Sequence, residues 1–179
     1  MNRKLHPAVF LDRDGTIVED NGYIDNELDL VFFENSFKAL NILQEKFLLF
    51  IVTNQSGIGK GLISKYKVDK VNQYLVDCLK AQGIAIYDIY CCPHTKEDNC
   101  WCRKPEPYFL YKAAKEYNLD LSKSFVIGDH PEDVYCAENA GATGIYVLSG
   151  HGIRHLLEFK KRPILAEDIL QAANMIINK

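Results

Sequence analysis

The sequence predicts an α/β fold, a doubly wound parallel sheet held between two helical layers. Two observations lead there. Short apolar runs alternate along the chain with longer stretches whose apolar residues recur at helical spacing. The runs are apolar at nearly every position, as strands must be when helices cover both faces of their sheet.

The elements follow in order. "AVFLD" (8–12) reads as a buried strand. Ser36 is placed to cap a helix through "FKALNILQEK", with Phe37, Leu40 and Leu43 on one face. "FLLFIVTN" (47–54) is the second strand. Ser64 starts a long helix through "KVNQYLVDCLKAQ", and Gly83 ends it. "IYDIYCC" (86–92) is the third strand, and Pro105 and Pro107 open a helix through "YFLYKAAKEY". "SFVIGD" (124–129) is the fourth strand. Pro131 opens a short helix that stops near Gly141. "TGIYVL" (143–148) is the fifth strand, and a last helix covers residues 166–178. No repeat, linker or low-complexity tract interrupts this pattern, so residues 1–179 are expected to form one domain.

Composition narrows the function classes. Apolar residues make up 47% and charged residues 25%, ordinary for a globular protein. A net charge of −3 argues against a nucleic-acid surface. The longest apolar run, residues 47–52, is far below the roughly 20 residues a membrane helix needs. "MNRKLHPAVFLDRDG" returns to charge before a signal-peptide core develops. A soluble, monomeric, cytoplasmic protein is expected. The six cysteines agree with a reducing compartment, because they cluster where a disulfide framework would spread them out.

In doubly wound sheets ligands bind at the carboxyl ends of the strands. The residues there are Asp12 and Asp14, then Thr53 and Asn54, then a cysteine-rich stretch, then Asp129 and Asp133. Asp12 and Asp14 are two apart, a spacing that puts strand side chains on the same side. Alone, "DRDG" fits a solvated turn equally well. Cys92, His94, Cys100 and Cys102 form C-x-H-x5-C-x-C, three thiolates and an imidazole suited to a closed, structural Zn²⁺ shell. Cys91 alternates away from this set and is expected in the core. Cys78 and Cys136 are expected as small buried groups on helices.

"FLDRDGT", "VTNQS", "RKP" and "GDHPEDV" occur in that order, each after a strand or its loop. This ordered set resembles the haloacid dehalogenase (HAD) superfamily of phosphohydrolases, over nearly the whole chain. The resemblance implies a HAD-like Rossmannoid fold and an aspartyl-phosphate mechanism. Asp12 would be the nucleophile, and Asp14 the general acid and base. Thr53 and Asn54 would hydrogen-bond the phosphoryl oxygens, with Lys104 as the fixed positive charge. Mg²⁺ would be held by Asp12, Asp14 (through its backbone carbonyl) and Asp129. Asp133 is either a support for Lys104 or the metal waters or an ordinary acid in a first helical turn. Arg13, Gln55, Arg103 and Tyr23 complete the expected phosphate- and substrate-binding set. The zinc loop (92–102) runs directly into Arg103 and Lys104 and would shape the loop that carries them.

Within the superfamily, the zinc loop followed by "CRKP" resembles the capless branch of the heptose bisphosphate and histidinol phosphate phosphatases. Gly22-Tyr23 and "NQSGIGKG" look like the heptose enzymes, while the short spacing between His94 and Cys100 looks like the histidinol phosphate enzymes. His130 stands where the branch usually has Lys or Arg, and His151, after the fifth strand, has two readings, one facing the site and one as a solvated loop histidine, with the second ahead. The expected substrate is a small phosphorylated metabolite, with a sugar bisphosphate ahead. Two alternatives compete with it. One is a non-catalytic, zinc-stapled binding module of the same fold. The other is a polynucleotide 3′-phosphatase, which the acidic balance disfavours.

Overall fold

A computed structural model describes residues 5–178. The outer limits expected for the domain, residues 1 and 179, lie outside them. Six strands form one parallel sheet in the order β3-β2-β1-β4-β5-β6. They are β1 (Ala8–Leu11), β2 (Leu48–Asn54), β3 (Ile86–Cys92), β4 (Phe125–Gly128), β5 (Thr143–Val147) and β6 (Ile164–Ala166). The helices are α1 (Ser36–Gln44), α2 (Ser56–Gly59), α3 (Lys65–Ala81), α4 (Tyr108–Tyr117), α5 (Pro131–Ala140), α6 (Gly152–His155) and α7 (Ile169–Ile177).

Strand alternation builds two cores. Val9 and Leu11 of β1 join Leu49 and Ile51 of β2 on one face, where Leu40, Leu75 and Ile176 pack against them. Ala8 and Phe10 join Phe50 and Val52 on the other, against Leu110, Ala113 and Ala137. Successive residues therefore face opposite layers, and both layers are dry. This explains why the strands read as unbroken apolar runs.

Helix ends follow their local chemistry. Ser64 caps α3, its side chain accepting from the Lys67 N–H, and Gly83 turns the chain beyond it at φ +75°. Pro107 precedes α4, and α5 begins at Pro131. The start of α1 differs from expectation. Asn35 holds the cap position without a side-chain cap bond, and the Ser36 hydroxyl instead donates to the Ile17 carbonyl at 2.6 Å. A second difference is β6, an unexpected strand that pairs with β5 just ahead of the last helix, which begins at Ile169 rather than at 166. Asp168 caps α7 only after that strand ends, accepting from the Gln171 N–H. Three residues are too few to show a period. The four-residue helices α2 and α6 were unseen for the same reason.

Strand β1 is central, hydrogen-bonded to β2 on one side and β4 on the other. The carboxyl ends of β2, β1 and β4 therefore open into one place. The β1–β2 connection holds a short 3₁₀ turn and α1, and the β2–β3 connection holds α2 and α3, with no inserted cap in either. No helix of the described residues is long and apolar enough to cross a membrane.

Candidate active site

Lys104 organises the floor of the site. Its ammonium lies 2.6 Å from Asp12 Oδ1, 2.6 Å from Asp133 Oδ1 and 2.7 Å from the Val52 carbonyl. Asp12 and the Val52 carbonyl accept hydrogen bonds from it and Asp133 pairs with it by charge, with the side chain only 5% exposed. Burial disfavours the ammonium, but Asp12 and Asp133 outweigh it and hold the group charged, above the ordinary lysine range. The chain around it is pinned by Asn54. Its side-chain carbonyl accepts from the Lys104 N–H (3.2 Å), and its amide donates to the Lys104 carbonyl (3.3 Å).

Asp12, Asp129 and Asp133 are all desolvated, and one oxygen from each lies within 4.8 Å of the others. Burial raises Asp12 to about 6, against the pull of Lys104. Burial, with Asp12 and Asp133 nearby, raises Asp129 to about 8. One lysine cannot neutralise three carboxylates, so the cluster calls for a further cation. Its donors are all oxygen, which suits Mg²⁺. Asp129 is oriented by the His151 N–H (2.7 Å). It also crowds Gly15, where an added Cβ would sit 2.1 Å from Asp129 Oδ2. Gly15 has φ +80° as well, so turn geometry and close approach both demand glycine there.

Asp14 is held apart from this cluster. Its carboxylate accepts from Arg13 Nε (3.0 and 3.1 Å) and from Gln55 Nε2 (2.7 Å). Burial raises its pKa, opposed by Arg13. A carboxyl kept from ionising easily, yet fixed by donors at the cleft wall, suits a group that gives and then takes a proton.

A cleft of about 370 Å³ opens over these groups. Thr53, Asn54, Gln55, Arg103, Lys104 and Tyr23 line it along with Asp12, Asp14, Asp129 and Asp133. The Tyr23 hydroxyl takes a hydrogen bond from Lys60 (2.9 Å), and Arg103 faces Glu132 at 3.5 Å. Arg13 is a correction. Expected at the phosphate, it is instead fully buried beneath the cleft, its guanidinium donating inward to Asn72 Oδ1 (2.7 Å) and to Asp14. Asp133 satisfies both of its readings. One oxygen pairs with Lys104, and the other accepts the His130 N–H to complete the start of α5. Asp20 and Glu132, unassigned in the sequence, also line the cleft, as does His151, for which a solvated loop position was the leading reading. The only signal for Glu132 was its place inside "GDHPEDV"; loops bring in the other two.

The cysteine cage stands beside the cleft. Cys92 Sγ lies 3.6 Å from His94 Nδ1, 3.6 Å from Cys100 Sγ and 3.4 Å from Cys102 Sγ. Cys100 and Cys102 are 3.7 Å apart, and Cys102 is 3.4 Å from His94 Nδ1. A tetrahedral zinc with arms of about 2.3 Å to sulfur needs edges close to these. Burial pushes the Cys92 thiol well up, so a thiolate there needs a cation beside it. The Pro93 carbonyl accepts the Gly59 N–H, and the Cys92 carbonyl accepts the Gln55 N–H, tying the cage to the loop after β2. Cys136 is buried; Cys78 and Cys91 are only partly so, which corrects the core placement expected of them.

Comparisons with known proteins agree with this geometry. The HAD-hydrolase-like family matches residues 101–172. The D-glycero-beta-D-manno-heptose-1,7-bisphosphate 7-phosphatase of Vibrio cholerae is 40% identical over 156 residues, covering 82% of this chain and 84% of that one. The histidine biosynthesis bifunctional protein HisB of Blochmanniella floridana is 40% identical over 149 residues, covering 81% of this chain but 41% of its own. Among solved structures, the D,D-heptose 1,7-bisphosphate phosphatase from B. bronchiseptica, complexed with magnesium and phosphate, superposes with a TM-score of 0.88. It has 26% identity, over 96% of this chain and 98% of that one.

Proposed function

This chain belongs to the family of the heptose bisphosphate phosphatases within the HAD-like hydrolases, and on that premise we propose that it removes one phosphate from a heptose 1,7-bisphosphate through an aspartyl-phosphate on Asp12. The observation that carries the chemistry is the pairing of Asp12, fixed by Lys104, with a separately held Asp14 on one cleft.

The steps use the chain's own groups. An Asp12 carboxylate oxygen attacks phosphorus in line with the leaving oxygen. The bond from phosphorus to that oxygen breaks as Asp14 delivers its proton there. Asp14, now ionised, takes a proton from water, whose oxygen attacks the phosphorus on Asp12. The bond to Asp12 then breaks, releasing inorganic phosphate. Lys104 holds positive charge near the transferring group throughout, with Thr53 and Asn54 as hydrogen-bonding partners for its oxygens. Asp12, Asp129 and the Asp14 carbonyl would hold Mg²⁺, which when bound supplies charge compensation for the phosphoryl oxygens. Zn²⁺ would fill the cysteine cage as a structural ion. Mild EDTA should stop turnover while zinc stays bound, and Mg²⁺ alone should restore it.

The substrate reading rests on the rim. Tyr23, Lys60 and Arg103 offer hydrogen bonds and positive charge away from the phosphoryl centre, as a second phosphate or a polyhydroxylated chain would require. A cleft of this volume accommodates a phosphorylated sugar. The Vibrio cholerae and B. bronchiseptica relatives support the same substrate, and a monomeric, cytoplasmic enzyme is the form proposed. The short zinc loop favours histidinol phosphate as the second reading. Steady-state kinetics on both substrates decide between them. The heptose bisphosphate should have the higher kcat/KM. A preference of more than tenfold for histidinol phosphate, about 1.4 kcal/mol of transition-state binding, would reverse the assignment.

A further inference from the structure

Three of the chain's five histidines gather at one rim of the cleft. The rings of His130 and His155 lie 4.6 Å apart between centroids, and those of His151 and His155 lie 6.2 Å apart. His151 turns to Asp20, its Nδ1 3.3 Å from Oδ2. The other two converge with Glu158, and one donor atom from each of His130, His155 and Glu158 lies within 4.8 Å of the rest. Neither the phosphoryl chemistry nor the cysteine cage uses this trio. We propose that His130, His155 and Glu158 form a second transition-metal site on this protein, for a borderline divalent cation such as Zn²⁺, Ni²⁺ or Cu²⁺.

The donor chemistry selects the metal. Two imidazoles and one carboxylate are too rich in nitrogen for Mg²⁺ and lack the thiolates of the cage. Three protein ligands leave room for water, as in open zinc sites. Little movement is required. Donors around one ion, on arms of about 2.0–2.1 Å, stand roughly 3–3.5 Å apart. His155 Nδ1 and Glu158 Oε1 are already in contact at 2.5 Å, three residues apart on one turn. That pair must open by roughly 0.5–1 Å, and His130, within 4.8 Å of both, must close by at most about 1.8 Å to share an ion with them. Glu158 is exposed and both imidazoles are only partly buried, so rotamer changes are open to all three.

The proton count also works. His130 Nδ1 now accepts the Glu132 N–H at 3.2 Å, which places the ring proton on Nε2. Binding a cation through Nε2 moves that proton to Nδ1, 4.0 Å from Glu132 Oε2. The Glu132 carboxylate then becomes the acceptor behind a ligating histidine, a recurrent arrangement at metal sites. The exchange gives up one cap bond of α5. An ion held here would tie the turn after β4 to the turn after β5, the two segments that position Asp129.

The test is equilibrium dialysis of the enzyme with its cage already filled by zinc, in excess Mg²⁺ to occupy the carboxylate cluster, with Zn²⁺ as the probe. Wild-type protein should take up one zinc beyond the cage, and its thermal midpoint should rise with it. His155→Ala and Glu158→Gln should each weaken that uptake by more than the roughly 10- to 100-fold caused by losing an outer-sphere partner. Both should keep wild-type turnover when no zinc is added. Wild-type protein taking up no zinc beyond its cage, or either variant binding the extra ion as tightly as wild type, would overturn the proposal.

Discussion

The cysteine cage and the carboxylate cluster meet at Lys104, and they are built in opposite ways. The cage is local. Its four ligands fall between Cys92 and Cys102, and a strand end and one tight loop bring them together. The carboxylate cluster is assembled at long range, from Asp12 after β1 and from Asp129 and Asp133 after β4. The cage is soft and closed, the cluster hard and open to the cleft. Ligand type alone should keep their metals apart. The difference teaches a division of labour. On the proposed reading, long-range packing sets the reacting groups, and a local zinc staple sets the loop that delivers their counter-charge.

The sharpest way to break this comparison is Asp12→Asn. It removes the proposed nucleophile and should lower kcat by roughly 10⁴-fold or more. The folded state should not suffer. Burial already works against ionised Asp12, so a neutral amide there relieves that cost, and circular dichroism and the thermal midpoint should match or exceed wild type. Substantial turnover by this variant would remove Asp12 from the chemistry.

Lys104→Met tests the junction itself. It leaves Asp12 and Asp133 buried without their shared counter-charge. Breaking such a pair destabilises by about 3–5 kcal/mol, and losing fixed charge at the transferring group should cost about 10²–10³ in kcat. Denaturant unfolding with and without Mg²⁺ measures the first effect. A variant as stable as wild type would mean that the two carboxylates are simply protonated without the lysine.

Cys100→Ser strikes the other region. Metal analysis should show loss of zinc, and KM should rise by about tenfold as the loop bearing Arg103 and Lys104 loosens, with kcat less affected. The thermal midpoint should fall. Full activity and stability in a zinc-free variant would show that the loop does not need its staple.

The smallest expected effect is a pH dependence. Asp12 at about 6 and Asp129 at about 8 both lie above their unfolded value of 3.8. Between pH 4 and 8 the metal-free folded state therefore holds more protons than the unfolded chain, so these groups lower stability as pH rises through that window. Mg²⁺ should relieve this. Its stabilising shift in thermal midpoint should be larger at pH 8 than at pH 5, by differential scanning calorimetry in matched salt. An equal shift at both would place Mg²⁺ elsewhere.

Local order made much of the site legible. The cage was readable because its spacing is its geometry. Asp12 and Asp129 stood out as charged groups just beyond apolar runs, while Lys104, far past the end of β3, was marked only by the resemblance that "RKP" carries. Arg13 was misplaced by neglecting the alternation that paired Asp12 with Asp14. A residue between two that face the cleft must point away, and it packs under Asp14 against Asn72. Asp20 was illegible, and His151 could be read either way, because loops, which have no period, carry them to the rim. Strand β6 hid behind a basic tract, too short to alternate.

The central position of β1 has a consequence in time. The Ala8 N–H bonds to Ser124 Oγ across 116 residues, and β1 receives its second neighbour only when β4 exists. Loop closure over such a span is entropically slow. On a ribosome the cage can load its ion once the chain has passed Cys102, while Asp12 waits for Asp129 and Asp133. Nascent chains released before β4 should already protect their cysteines from alkylation in the presence of zinc, yet cleave no phosphoester. The staple is ready before the machine it steadies.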